Sequence, residues 1–427
     1  MRMADDALRA LLDGAGWPCA DASRVEFTGR DDLYSCRFQA GVATGVALAA
    51  AGLAAPGPQR GLRVDLDHAA LMSEGYRHVR LDGASVAAPR DALTGFYETR
   101  DGRAIFLHVN FPHHRTRALD VLGAAPDKES IASRVRTWDC DALDHALARA
   151  GAIAAPALSF AQWDASEQGR AIASLPLIEI TRVGDAEPKP LATMRDIRVI
   201  DFTRVLAGPT CGRFLAEAGA QVTRIEHPQT PDLVAYRLDA NRDKQERTLD
   251  LRNAGDLATL REMASRADVF VQAYRPGVAA RFGLDAATLC GANPGLVHAS
   301  LSAFGHVGPW SLRRGFDSVI QAATGLAHAH GGGAPKLLPT SPLDYAAGFL
   351  LAFGIEVALQ RRAREGGSYS VRTSLAQVAL WLRGFQHETA PAADEARLAA
   401  AIAEHSTQSR TSAGLIRHLQ SAMTFDG

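Results

Sequence analysis

The side chain best placed to do chemistry is Asp344, an acidic residue near the start of a long apolar segment. Apolar residues recur at helical spacing from Phe349 to Leu359, and no proline interrupts the segment before Arg364, which predicts a helix that begins at Pro342. The helix dipole and the free backbone N–H groups of such a helix start favour the ionised, nucleophilic form of a carboxylate. Asp344 could therefore attack an activated acyl group, or it could simply cap the helix.

The elements that would position Asp344 alternate between strands and helices from residue 197 onwards. Buried strands are predicted at 197–202, 221–226, 268–272 and 296–301. Helical segments separate them, and this alternation is typical of a Rossmann-like parallel sheet in an α/β protein. Because Gly208 and Gly212 do not form the glycine fingerprint of a dinucleotide site, no NAD or FAD is predicted.

Cationic residues follow the predicted strands, namely Arg204, Lys244, Arg275, Arg281 and Arg314. The carboxyl ends of parallel strands meet at one sheet edge, so these side chains would suit a polyphosphate ligand there. Each of them could instead be a solvated surface charge.

Composition excludes several other functions. Lysine and arginine total 46 against 47 acidic residues in 427, a net charge of -1, which gives no electrostatic basis for binding nucleic acid or an anionic membrane. The five cysteines are scattered and form no CxxC pair, which argues against disulfides and zinc and for a reducing cytoplasm. The start is acidic, and the alanine-rich run 41–55 is too short to span a bilayer. We therefore expect a cytoplasmic protein, and no metal at the histidine cluster around residue 113.

Several ordered motifs resemble family III CoA-transferases, the CaiB/BaiF family. They lie at 199–209 with 219–226, at 241–244 with 249–251, at 274–277 with 281–283, and at 304–309, and the similarity extends from residue 195 to residue 381. The resemblance implies a Rossmann-like large domain, a smaller α+β domain and a reaction on CoA thioesters. CoA and acyl-CoA would be substrates, with no further cofactor.

The resemblance also implies roles for particular residues. Asp344 matches the aspartate nucleophile, which would carry the acyl group as a mixed anhydride while CoA passes from an acyl-CoA to a free carboxylic acid. The implied substrate and CoA contacts are Val205 and Leu206 beside the thiol end, Lys244 and Arg281 near the nucleotide and its phosphates, Phe282 as an apolar neighbour, and Arg314 as a basic contact.

An internal repeat is predicted near the start of the chain. The segment 61–70 resembles 367–376, and the helix before it aligns Gly41 with Asp344, so the N-terminal copy would lack the nucleophile. The expected organisation is a degenerate partial copy of the large domain at 1–90, a small α+β domain at 91–185, a linker at 186–194, the CoA-binding large domain at 195–400 and a C-terminal tail at 401–427.

Two other functions remain open. Racemases of the same family move a proton beside the thioester and carry histidine in a Gly-His-Asp triplet, whereas this chain has Phe316 between Gly315 and Asp317, so the second base is expected to be absent. A catalytically inactive CoA-binding protein is the other alternative. Family members form homodimers, so we expect either a homodimer or an internally paired pseudo-dimer.

Overall fold

A computed structural model describes residues 2–57, 60–87, 90–411 and 413–425. The N-terminal region contains α1 (Arg2–Gly14), β1 (Val25–Thr28), α2 (Ala40–Ala54), β2 (Leu62–Asp65), α3 (Leu66–Met72), α4 (Gly75–His78), β3 (Arg80–Leu81) and β4 (Ala84–Ser85). The middle region contains β5 (Gly95–Glu98), β6 (Ala104–Leu107), α5 (Pro112–Leu122), α6 (Lys128–Val135), α7 (Cys140–Ala150), β7 (Ala154–Pro156), α8 (Phe160–Ala165), α9 (Glu167–Ala173) and β8 (Glu179–Gly184).

The C-terminal half holds the remaining elements. The first of these are β9 (Arg198–Phe202), α10 (Ala207–Glu217), β10 (Gln221–Glu226), α11 (Val234–Ala240), β11 (Gln245–Thr248), α12 (Ala254–Ala264), β12 (Val269–Gln272), α13 (Ala286–Ala292) and β13 (Val297–Ser302). They are followed by α14 (Asp317–Ala323), α15 (Leu326–Gly331), α16 (Pro342–Glu365), β14 (Ser368–Ser374), α17 (Leu375–Leu382), α18 (Glu395–Glu404), β15 (Ser406–Thr411), β16 (Gly414–Leu419) and β17 (Met423–Phe425).

A seven-stranded sheet in the order β11-β10-β9-β12-β13-β14-β8 forms the centre of the large α/β unit. All neighbours are parallel except β8, which is antiparallel to β14. In the register of the central strands, Asp201 lies between Arg224 of β10 and Val271 of β12. Since β12 is buried on both faces, its sequence begins as an apolar run, whereas the equally buried β13 carries His298, Ser300 and Ser302. The predicted parallel, Rossmann-like sheet is confirmed.

The helix α16 runs through the middle of the protein. Pro342 occupies its first turn, and the chain leaves it at Gly366, whose φ of 69° is a conformation that favours glycine. Among the described residues it is the one helix long and apolar enough to cross a membrane, and its whole apolar window is buried inside the protein. Its composition is therefore explained by packing between α2, α10 and the sheet.

The N-terminal region repeats a succession of elements found around α16. There α2, β2 and α3 follow one another as α16, β14 and α17 do, and β1 pairs parallel to β2 as β13 pairs parallel to β14. Asp31 accepts a hydrogen bond from the backbone N–H of Val42 at 2.9 Å, and Asp317 accepts one from the N–H of Leu343 at 2.8 Å. Descent of both units from one ancestor remains a prediction.

The segment 401–427, expected to be a tail, is folded over its described residues. The hairpin β15–β16 extends to β3 and β4, and β17 pairs antiparallel to β2. Two apolar side chains, Ile416 and Leu419, are buried there. These C-terminal strands cover edges of the N-terminal strands that would otherwise be unpaired. The paired strands are more than 300 residues apart in the sequence, so the local sequence does not reveal the pairing.

The middle region has a hydrophobic core of its own. Its strands form the sheet β5-β6-β7. The core contains apolar residues of this sheet and of the helices α5, α6 and α7, such as Ile105 of β6 and Leu143 and Leu147 of α7. The hairpin predicted at 95–107 is confirmed, with Gly102 at a φ of 73° in its turn. This region approaches the large unit through β7 and β6, which pack against α14.

Candidate active site

Asp344 lies in the first turn of α16, where two cavities meet. Its side chain lines both of them, and the residue is only 7% exposed. We name them the sheet-edge cavity, of about 190 Å³, and the N-terminal cavity, of about 330 Å³. Leu206 and Phe316 also belong to both cavities, so the two cavities adjoin each other at the buried carboxyl group.

The sheet-edge cavity lies beyond the carboxyl ends of the parallel strands. Arg204 and Val205 follow β9, Tyr274 follows β12, and Ala303 follows β13. Ligands of open α/β sheets bind at this edge, because the loops there diverge and leave a crevice. The opposite wall comes from the middle region, through Phe111, His113 and His114.

Val205 holds a strained backbone conformation at the junction of the two cavities. Its φ of 71° is one that β-branched residues rarely adopt, and its N–H donates to Asp232 Oδ1 at 3.3 Å. Such strain costs about 1–3 kcal/mol and persists only where the surroundings enforce it. The turn directs Leu206 toward the cavities immediately before α10 begins.

A third cavity, of about 260 Å³, continues the sheet-edge cavity beyond Tyr274, which lines both. Its other apolar walls include Phe202, Leu251, Val278 and Phe282. We call it the outer cavity. Tyr274 is the residue that the outer cavity and the sheet-edge cavity share, and the three cavities together are named the track that leads from Phe282 to Asp344.

A cluster of arginines lies near the sheet-edge cavity without lining it, and burial together with the charges of Arg117 and Arg314 lowers the pKa of the lining residue His113. Burial lowers the pKa of Arg275, and the charges of Arg281 and Arg117 lower it further. Burial, Arg275 and Arg117 act in the same way on the pKa of Arg314. Because like charges held together repel one another, this cluster would bind a polyanion favourably. A binding role for Arg275, Arg281 and Arg314 stays a prediction.

Lys244 corrects one expectation from the sequence. Its ammonium group is fully buried and donates to Asp201 Oδ2 at 2.8 Å, to the Pro209 carbonyl at 2.8 Å and to Asn241 Oδ1 at 3.0 Å. It lines none of the three cavities. With three oxygen partners in place, Lys244 fastens β9 to the start of α10 and is not a nucleotide contact in this structure.

The ionisation expected for Asp344 also needs correction. The backbone N–H groups of Leu343 and Asp344 donate to Asp317 Oδ2 at 2.8 and 3.2 Å, so another carboxylate already occupies the helix start. Burial raises the pKa of Asp344 well above its usual value, and the charge of Asp317 raises it further. Burial also raises the pKa of Asp317, to about 6. Desolvation therefore outweighs the helix dipole at this site.

Comparison with known proteins identifies the family. The profile of CoA-transferase family III matches residues 194–412, which is half of the chain. This chain belongs to CoA-transferase family III. The acetyl-coenzyme A transferase nodX of Hypoxylon pulicicidum is 30% identical over 332 residues, which cover 70% of this chain and 56% of the relative.

A probable fatty acyl-CoA transferase of Mycobacterium tuberculosis is 33% identical to this family III chain over 212 residues, covering 46% of the chain and 54% of the relative. A crystal structure of that protein matches with a TM-score of 0.43 and 33% identity, over 47% of this chain and 56% of the other. The chain thus spans about half the length of the curated relatives it matches.

In this family III protein, two buried histidines that sequence reasoning did not assign to the site lie beside Asp344. The ring of His108 packs on Phe316 with centroids 4.5 Å apart, and that of His114 lies 6.3 Å from the same ring. Burial lowers the pKa of His108 to about 4 and that of His114 to about 3, so both are neutral at pH 7. The expectation that the second base is absent, which rests on Phe316 in the place of a histidine, stays a prediction. The sequence shows these histidines as a cluster, but the cluster alone does not indicate that they line the cavities at Asp344.

The N-terminal region supplies further lining residues that sequence reasoning missed. Tyr76, Arg77 and Arg90 form one wall of the N-terminal cavity, opposite Tyr236 and Asp344. The cavities at Asp344 are therefore lined by residues of the N-terminal region, the middle region and the large unit of a single chain. No group of three or more potential metal ligands occurs in the described part of the chain.

Proposed function

We propose that this protein moves CoA between an acyl-CoA thioester and a free carboxylic acid, with Asp344 as the nucleophile. The observation that carries the proposal is the position of Asp344, buried at the meeting point of two cavities in a track that passes an arginine cluster. An extended ligand with an anionic, aromatic end and a reactive sulfur end has the shape and charge that this track suits.

Each step of the proposed reaction is an acyl transfer to or from a carboxylate. Ionised Asp344 attacks the thioester carbonyl, the carbon–sulfur bond breaks, and CoA leaves as a thiolate from an aspartyl mixed anhydride. The thiolate then attacks the aspartyl carbonyl, which releases the first acid and forms an aspartyl thioester. The incoming carboxylate attacks this thioester and gives a second anhydride. CoA finally takes the new acyl group and frees Asp344.

The burial of Asp344 supports this chemistry, because an anhydride exposed to water would hydrolyse and a buried one is protected. The raised pKa of Asp344 acts in the opposite direction, since the neutral acid, which is not nucleophilic, predominates up to a higher pH than for an exposed aspartate. We infer that activity rises with pH as Asp344 ionises.

The geometry suggests where the parts of CoA bind. Phe282 and Tyr274 in the outer cavity would contact the nucleotide base, and Arg281 and Arg314 would bind phosphates. Val205 and Leu206, which line the sheet-edge cavity beside Asp344, would flank the thiol end. CoA serves as a substrate here, and the proposal needs no further cofactor.

The names of several relatives support the same substrate class. They include a succinyl-CoA–L-malate CoA-transferase alpha subunit of Chloroflexus aurantiacus and an acetyl-CoA:oxalate CoA-transferase of Acetobacter aceti. Both names pair a CoA thioester with a carboxylic acid. We propose further that the internally paired arrangement applies here, since residues of the middle region of the same chain already line the cavities at Asp344.

Trapping of the acylated enzyme tests the proposal. The full chain is incubated with acetyl-CoA and hydroxylamine, and mass spectrometry follows hydroxamate on the peptide containing Asp344, because hydroxylamine also releases acetohydroxamate from acetyl-CoA directly. We expect the peptide hydroxamate from the unaltered protein and none from Asp344→Asn, which keeps the side-chain shape but loses the nucleophile. Glu262→Gln, at an exposed carboxylate of α12, serves as the control and should react normally.

Two outcomes would contradict this assignment. Hydroxamate formation by Asp344→Asn at the unaltered rate would place the nucleophile elsewhere. A complete lack of trapping by the unaltered protein would favour the inactive CoA-binding alternative.

A second candidate, α-proton exchange on an acyl-CoA, is favoured by one observation. His108 and His114 are neutral, line the same cavities as Asp344 and pack near Phe316, so they could act as the second base. Incubation with propanoyl-CoA in D₂O separates the two functions. Deuterium at the α-carbon without CoA exchange would support proton exchange, whereas CoA exchange without deuterium supports transfer.

A further inference from the structure

We propose that the N-terminal cavity selects carboxylic acids that carry a second carboxylate, with the distal group bound by Arg90. This inference rests on the proposed function, because it takes the cavity on that side of Asp344 as the place of the acid and its acyl group. The ligand class is therefore a small dicarboxylic acid or its CoA thioester.

The two cavities that meet at Asp344 differ in their chemistry. The sheet-edge cavity has apolar walls near the carboxylate, including Ala207, Leu301 and Leu375. The N-terminal cavity instead presents polar side chains, namely the cationic Arg90 and the amide of Asn110 together with the carboxyl groups of Asp317 and Asp344. A long alkyl chain in the N-terminal cavity would desolvate these groups without replacing their hydrogen bonds with water, so a polar acyl group is the better match.

Arg90 is the cation of this cavity that is free to bind a ligand. Its guanidinium has no hydrogen-bond or ion-pair partner in the described ranges, and its charge lowers the pKa of both His108 and Tyr236, which places it among the lining groups. Arg77 is different, because it pairs with Glu74 at 3.0 Å and donates to the Tyr76 hydroxyl at 3.1 Å. A guanidinium without a partner can bind a carboxylate through two parallel hydrogen bonds.

His108 gives an independent indication of a polar ligand. The residue is 6% exposed, lines the N-terminal cavity, and its Nδ1 atom is buried with no hydrogen-bond partner. Buried polar atoms in folded proteins nearly always have partners. A carboxyl or hydroxyl group of a bound acid would satisfy this atom. The cavity volume of about 330 Å³ leaves room for a small dicarboxylic acid and ordered water.

Calorimetric titration of the full chain tests the preference directly, with CoA present and absent. Succinate is compared with butanoate, and glutarate with pentanoate, so that each pair has the same number of carbons and differs in one carboxylate. We expect the dicarboxylate of each pair to bind at least about 10-fold more tightly, as expected when a charged group gains paired hydrogen bonds.

Variants of Arg90 show whether this residue causes the preference. Arg90→Gln should reduce the ratio of the two affinities by about 10-fold or more, and Arg90→Lys should retain part of it because the charge remains. Arg149→Gln, on the exposed face of α7, controls for the loss of one positive charge and should leave the ratio unchanged.

Three results would overturn the inference: equal affinity within each pair, tighter binding of the monocarboxylate, or a preference for the dicarboxylate that persists in Arg90→Gln. Hydroxylamine trapping with acetyl-CoA needs no second acid and thus reports on the proposed function separately. Normal trapping without a dicarboxylate preference would reject this inference alone. A dicarboxylate preference without trapping would reject the role of Asp344 while supporting the ligand class.

Discussion

Replacing Gly348 by alanine tests the contact that holds the site together. Gly348 lies one turn after Asp344 in α16, where a Cβ atom would lie 2.6 Å from the Ala207 carbonyl oxygen and 2.7 Å from Thr210 Cβ. Both atoms belong to the first turns of α10, and neither belongs to a flexible side-chain end. The helices must therefore move apart, and α10 would carry Leu206 away from Asp344.

The magnitude follows from two opposing effects. Overpacking of a close helix contact costs typically about 1–3 kcal/mol, whereas Gly→Ala inside a helix recovers about 1 kcal/mol of helix propensity. The repulsion should win, with a net loss of up to about 2 kcal/mol. Gly291→Ala is the matched control, because a Cβ there meets no atom within 4 Å and only the favourable effect remains.

Urea unfolding of the full chain, followed by circular dichroism, measures both changes. Gly348→Ala should unfold at lower urea and Gly291→Ala at slightly higher urea than the unaltered protein, and Gly348→Ala should also trap less hydroxamate. If Gly348→Ala is as stable and reactive as Gly291→Ala, then close contact between α10 and α16 does not position the site and the reasoning is refuted.

Two further substitutions test buried charges. Burial alone raises the pKa of Glu356, and neither of its carboxyl oxygens has a hydrogen-bond partner. Because a raised pKa in the folded state costs stability once the pH exceeds the pKa of the unfolded state, Glu356→Gln should stabilise the protein by on the order of 1–3 kcal/mol at pH 8 and by less at pH 4. Urea unfolding at both pH values measures this, and an equal gain at the two would contradict it. Lys244→Met should destabilise by about 3–5 kcal/mol, because it leaves Asp201 buried without its ion-pair partner, and adding Asp201→Asn should restore part of that loss. Unchanged stability with weakened CoA binding would instead return Lys244 to the nucleotide site.

Much of the large unit could be predicted from the sequence because its signals are local. Strands buried on both faces, such as β12, appear as short apolar runs whatever the rest of the chain does. The placement of Asp344 at the start of a helix could be predicted from the local sequence. The direction of its pKa shift could not, because burial depends on side chains from distant parts of the chain. The local sequence indicated only the effect of the helix dipole.

The walls of the cavities could not be predicted for a related reason. Arg90, His108 and Asp344 are separated by up to about 250 positions yet line one space, and no spacing rule connects them. Lys244 shows the converse, since a lysine after a strand looks like a ligand contact until Asp201, 43 positions earlier, is placed beside it. The motif resemblance implied that Lys244 contacts the nucleotide, whereas in the structure Lys244 is packed against Asp201.

The start of α2 has no room for an acidic side chain at the residue that the predicted repeat aligns with Asp344. That residue is Gly41, and a Cβ atom there would lie 2.1 Å from the Leu66 carbonyl oxygen and 2.6 Å from Asp31 Oδ1. A carboxylate could not be accommodated without moving α3, which begins at Leu66. At the start of α16, by contrast, Asp344 lines two cavities. The two helix starts therefore differ in the space available to a side chain. Gly41→Asp would disrupt the packing of α2 and would not create a second site.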